Sequence, residues 1–158
     1  LPLYDEDFTL VAPAGFDVGA KGVTREALKK MDVLLLNKGH CMRDQALDIC
    51  RDVGARAAAA TYATSLATLV QLVSGGLGVT LVPETALPVE TRRAPNLSVH
   101  RFVPPAPFRR IGLGFRSTSP RVDEFEALAG SIRRAVAESV PVPGVRPALD
   151  ASRLDMPA

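Results

Sequence analysis

Tryptophan is absent from this 158-residue chain, aromatic residues make up 5% of it, and its net charge is only +2. A surface that holds nucleic acid needs clustered lysine and arginine or interleaved aromatic platforms, and neither stands out. The chain is therefore not expected to hold DNA by itself. Its longest apolar runs fall far short of the ~18 residues that suggest a membrane span, and its start, Leu1-Pro2-Leu3-Tyr4-Asp5-Glu6-Asp7, carries no basic signal-peptide region. The cytoplasm is the expected location, with no membrane partner. Two cysteines are too few for a disulfide-stapled secreted scaffold. Histidines also number two. His40, Cys41 and Cys50 offer at most three metal ligands, and the adjacent His40 and Cys41 are poorly placed to chelate together. No metal or other cofactor is expected.

What is present is an apolar content of 47% in a length that allows one ordinary domain or two small ones. Both cysteines and one histidine lie in a single stretch, residues 37–50. Gly39 ends the apolar run Val33-Leu34-Leu35-Leu36, and Met42, Ala46, Ile49, Cys50 and Val53 follow at helical spacing. Strand, tight loop and helix are the expected order. Cys41 then lies at the helix N-terminus, where free backbone N–H groups and the helix dipole favour a thiolate, with His40 and Arg43 adding positive charge and Asp44 opposing it.

Cys50 follows Cys41 by nine residues, which in a continuous helix is about 13 Å along the axis and about half a turn around it. A disulfide needs Cα atoms within about 7 Å. An internal bond would thus require the first helical turns to unwind. Two readings stand at this point: a redox-active pair, or two small apolar residues.

The stretch Gly39-His40-Cys41-Met42-Arg43-Asp44-Gln45-Ala46, with Cys50 nine after Cys41, resembles the redox centre of the OxyR family, the peroxide-sensing branch of the LysR-type transcription regulators. The resemblance implies that hydrogen peroxide oxidises Cys41 to a sulfenic acid and that Cys50 resolves it to a disulfide. It further implies no enzymatic turnover, a thiol reductant for resetting, a homodimer or homotetramer, and promoter DNA and RNA polymerase as partners only through the full-length protein. A LysR-type domain that binds a small metabolite, and a thiol peroxidase, are the competing readings.

Along the chain, residues 8–12 have strand propensity, Thr24 caps a short helix over 24–30, and 33–36 is a strand covered on both faces. Residues 57–63 are read as a strand, 66–74 as a helix capped by Thr64 or Ser65 and ended by Gly75-Gly76, 79–82 as a strand, and 97–102 as another with His100 facing solvent and without function. The run from Ala63 to Pro83 resembles LysR-type effector domains in general, which makes Thr64 and Ser65 candidate cleft residues as well as caps. Residues 109–116 read as a strand, and Arg109 matches by position an arginine near the redox cysteine in the family. A solvated strand-end charge is its other reading. Ser119-Pro120 starts a helix whose stripe Val122, Phe125, Leu128, Ala129, Ile132 and Val136 is read as core.

Alternating strands and helices give an α/β fold. The resemblance implies the type-2 periplasmic-binding-protein architecture: a LysR-type effector domain over residues 1–138, with a complete second subdomain at 4–107, the closing part of the first at 108–138, and a disordered tail at 139–158. Residues 1–7 would be a hinge-like crossing segment. The chain is read as a fragment without the DNA-binding head or the peroxide-holding threonines of the first subdomain. It departs from the family at Ala67, where glutamate is frequent, and at Asn37-Lys38, where an acidic residue is common.

Overall fold

The computed structural model describes residues 1–19, 22–57, 63–92, 94–138 and 142–148. It divides into two compact units, residues 8–107, and residues 1–7 with 108–158. The described strands are β1 (Pro2–Pro13), β2 (Thr80–Pro83), β3 (Leu97–Arg101), β4 (Phe108–Gly112) and β5 (Val145–Pro147). The α-helices are α1 (Cys41–Asp52), α2 (Leu66–Ser74), α3 (Leu87–Glu90) and α4 (Val122–Glu138).

In the unit of residues 8–107, the second half of β1 lies between β2 and β3, antiparallel to both, with Leu10 opposite Leu81 on one side and His100 on the other. The two-residue period of a strand sends alternate side chains to opposite faces, and each face has its own core. Phe8, Leu10 and Ala12 join Val33, Leu35, Ile49, Cys50, Val79 and Leu81. Val11 joins Leu34, Leu36, Leu69, Val70, Val73 and Val82. Each Val, Leu, Ile or Phe side chain among them, fully buried, contributes ~1.5–3 kcal/mol, which is what holds a sheet covered on both sides.

Residues 33–36 alternate between the two cores as a covered strand should, but they form isolated parallel bridges rather than a regular strand. Val33 pairs with Ala57 and Val79, and Leu36 with Ala63. Residues 58–62, the interior of the expected 57–63 strand, lie outside the described residues. The expected helix at 24–30 is a 3-10 helix over Arg25–Lys30, with Thr24 Oγ1 accepting from the Ala27 N–H. A 3-10 turn at Glu84–Ala86 and the single turn of α3 fall in the proline-rich stretch where only β3 was expected. His100 does not face solvent: it is half-buried, with Nε2 2.8 Å from Ser98 Oγ, which donates to the Pro13 carbonyl. Pairing of β3 with β1 brings it there.

In the other unit the first half of β1 pairs antiparallel with β4, Asp7 opposite Phe108, and with β5, Tyr4 opposite Pro147. Residues 2–7 of the crossing segment are thus paired strand, with a register shift between Pro2 and Tyr4. Three successive carboxylates on it meet three arginines: Asp5 with Arg110 at 2.7 Å, Glu6 with Arg109 at 2.6 Å and Asp7 with Arg146 at 2.6 Å. β5 also corrects the expected disordered tail for residues 145–147, since β1 supplies them with a pairing edge. Residues 139–141 and 149–158 lie outside the described ones.

Helix α4 starts at Val122, two residues past Pro120, although Ser119 Oγ still accepts from the Arg121 N–H. Its apolar stripe is not a finished core. Ala129 is its only fully buried residue, and Leu128 is 48% exposed. Phe125 stacks on Phe115 at 4.7 Å between ring centres, and the short strands of this unit leave the rest of the stripe half-covered.

Candidate functional site

Cys41 is the first residue of α1 and is exposed, whereas Cys50, on the last turn, is completely buried. Neither is bonded to another cysteine. The helix places them so because Ala46, Ile49 and Cys50 fall on its inner face while Cys41 stands at its mouth. Burial pushes the Cys50 thiol up from its ordinary range, because a thiolate in an apolar core loses its hydration. The core therefore holds Cys50 as the neutral thiol.

Gly39 reaches the helix with φ +97, a left-handed conformation that a side chain would strain. His40 is the N-cap in extended conformation, its carbonyl accepting from the Arg43 N–H at 2.9 Å, but its side chain makes no capping bond. The free N–H groups of the first turn are left to whatever occupies the site. Arg43 lies 3.6 Å from the exposed carboxylate of Asp44, a distance and exposure at which an ion pair is worth little.

Thr64 and Ser65 are exposed. Ser65 is the cap of α2: its Oγ accepts from the Thr68 N–H at 3.1 Å and lies 2.9 Å from Thr68 Oγ1. The parallel bridge of Leu36 to Ala63, with the Asn37 N–H donating to the Ala63 carbonyl at 3.0 Å, makes the segments leading to α1 and α2 leave the same edge side by side. Ligands in open α/β sheets bind outside the carboxyl ends of such segments. The segment carrying His40 and Cys41 and the segment carrying Thr64 and Ser65 thereby leave one edge. Arg109 belongs to the other unit, where Glu6 engages its guanidinium.

Two polar atoms beside this edge are buried and have no hydrogen-bond partner among the described residues, Asn37 Oδ1 and Gln45 Oε1. Gln45 lies one turn below Cys41 on the same face of α1. Helical spacing marks its position, but only burial shows that its amide turns inward. Met42, an apolar position in the sequence, packs against both core clusters. Among the described residues no group of three or more His, Cys, Asp and Glu could hold a metal ion, and no helix is long and apolar enough to cross a membrane.

Known proteins are similar to this chain in sequence and in fold. The model of the LysR substrate binding domain family matches residues 1–137. A probable hydrogen peroxide-inducible genes activator of Streptomyces viridosporus is 53% identical over 148 residues, 92% of this chain and 47% of that protein. The DNA-binding transcriptional dual regulator OxyR of Escherichia coli K12 is 37% identical over 134 residues, 84% of this chain and 44% of that protein. Among solved structures, a cysteine-to-serine mutant of Corynebacterium glutamicum OxyR with H2O2 bound superposes with a TM-score of 0.76 at 43% identity, covering 87% of this chain and 44% of that one. This chain spans somewhat less than half the length of these relatives.

Proposed function

Because the chain belongs to the family of LysR substrate-binding domains, with the periplasmic-binding-protein-like α/β fold of that family, we propose that it is the regulatory domain through which a LysR-type transcription regulator senses hydrogen peroxide. The observation that carries this reading is one helix bearing an exposed cysteine at its first residue and a buried one nine residues on. Relatives named for peroxide-inducible activation and for a peroxide-bound OxyR support it. In this reading residues 4–107 form the second subdomain and 108–138 close the first, while promoter DNA, RNA polymerase and self-assembly into a dimer or tetramer involve the whole protein.

The thiolate of Cys41 attacks one oxygen of hydrogen peroxide. An S–O bond forms, the O–O bond breaks, and hydroxide leaves, taking a proton to become water. His40 and Arg43 stabilise the charge that moves from sulfur to the departing oxygen, while Asp44 and Gln45 order the loop and the first turn. The Cys50 thiol then attacks the Cys41 sulfenic acid: the S–S bond forms, the S–O bond breaks, and a second water leaves. Two electrons from a thiol reductant restore both cysteines. Each sensing event consumes one peroxide, so the domain acts as a switch and not as an enzyme.

Unwinding the first turns of α1 to bring the sulfurs together changes the surface around the helix, which is the signal passed to the rest of the protein. A peptide map by mass spectrometry without reduction, before and after one equivalent of hydrogen peroxide, tests the proposal. A Cys41–Cys50 bridge appearing only after treatment is the expected result. Two thiols unchanged by peroxide in the whole protein would overturn it.

A further inference from the structure

The two ends of α1 are held in different ways. At the C-terminal end the Ala55 N–H donates to the Cys50 carbonyl at 2.8 Å and the Gly54 N–H to the Arg51 carbonyl at 2.9 Å, a Schellman closure with Gly54 in the left-handed region at φ +69. Arg25 pairs with Asp52 at 3.1 Å, and Ile49 and Cys50 are buried. The N-terminal end is held less firmly: the Arg43 N–H donates to the His40 carbonyl at 2.9 Å, but His40 supplies no side-chain cap, Cys41 and Asp44 are exposed, and among the described residues the ion-pair partner of Arg43 is Asp44 at 3.6 Å.

Met42 is the apolar side chain that anchors the first turn. Half-buried, it packs against the cluster that contains Cys50, Ile49 and Leu10, and also against the cluster of Leu36, Leu69 and Val70. No other partly buried hydrophobic residue among those described packs on both. A thioether with three rotatable bonds suits a seat shared between two surfaces.

From this we propose that Met42 is a positioning residue of the redox switch, a latch that keeps the first turn of α1 folded and so sets how fast the disulfide closes after Cys41 is oxidised. The inference rests on the proposed peroxide chemistry. Met42 itself is not oxidised. It leaves its seat when the turn opens, while the S–S bond forms and water departs as written above. Formation of the sulfenic acid needs Cys41 at the helix mouth and not an open helix, so Met42 acts on the second step only.

The test uses the whole protein with Met42→Ala, Met42→Gln and Met42→Leu. Sulfenic acid formation is timed by dimedone trapping in a Cys50→Ser background, and bridge closure by acid quench and non-reducing mass spectrometry with Cys50 in place. Met42→Ala should close about tenfold faster, ~1.4 kcal/mol of lost anchoring, with sulfenic acid formation changed less than twofold. Met42→Gln keeps length and helix propensity and should close faster too, which preserves the test if the alanine variant fails to fold. Met42→Leu should restore the parental rate. Unchanged closure in both truncating and polar variants, or equal change in both steps, sinks the latch alone. Absence of any bridge in the unsubstituted protein sinks the proposed function and the latch together.

Discussion

The carbonyl of Cys50 accepts a hydrogen bond of 2.8 Å from the Ala55 N–H, so the buried cysteine sits at the pinned end of α1 and the exposed one at the loose end. Unwinding should therefore start at Cys41. In hydrogen exchange on peroxide-treated protein, amides of residues 42–45 are expected to lose protection first and by the larger factor, and those of residues 53–55 to lose it least. Equal loss along the whole helix would contradict the asymmetry.

Cys50→Ser should leave Cys41 as a sulfenic acid that accepts dimedone, passing to over-oxidised species with more peroxide. Intact-mass measurement distinguishes the two. A metabolite-binding domain would behave otherwise, because its ligand affinity would be untouched by this substitution and its cysteines indifferent to peroxide.

The raised Cys50 thiol couples stability to pH. Its neutral form is favoured by the core, so its contribution is complete below about pH 8.5, the range of a free thiol, and is lost as pH rises through the higher folded-state value. Urea unfolding between pH 8 and 10 should show the parent losing stability relative to Cys50→Ala. A constant difference between them across that range would mean that burial does not disfavour the thiolate.

Glu84 is buried, accepts from Thr9 Oγ1 at 2.8 Å, and is gripped by Arg101 Nε at 2.6 Å and Nη2 at 3.2 Å. Removing the carboxylate leaves the buried Thr9 hydroxyl without this acceptor. Glu84→Ala should cost about 2–4 kcal/mol in urea unfolding, and Arg101→Ala should cost at least as much at neutral pH, since it leaves the buried Glu84 carboxylate without its counter-charge. A much smaller loss for Arg101→Ala would mean that the Thr9 hydroxyl and solvent suffice to hold that charge.

Much of the candidate site could be read directly. The apolar spacing from Met42 to Val53 fixes α1 and its inner face, and the Gly39 break fixes where Cys41 enters it. Ser65 followed by an apolar run announces the α2 cap. What escaped the sequence are relations that depend on register or on three-dimensional burial. The Thr9, Glu84 and Arg101 cluster joins residues far apart in the chain, brought together by β1 pairing with its neighbours. β5 has three residues, too short for periodicity to show against its prolines. The stripe of α4 has the pattern of a buried helix, but pattern cannot say whether enough chain lies near to cover it. Met42 has the same apolar signature as Ala46, and only the fold reveals that it touches two cores.

β1 carries the pairing of both units in one continuous strand, and its partners begin at residues 80, 97, 108 and 145. During synthesis it must therefore leave the ribosome and wait. Residues 8–12, bound for two cores, lack β2 and β3 until these have emerged, and residues 2–7 lack β4 and β5 for longer still. Such long-range pairing folds slowly and leaves an apolar strand open to wrong neighbours. Yield from the cell should consequently respond to translation speed and to chaperones that cover nascent strands, even for substitutions that leave the finished protein's stability unchanged.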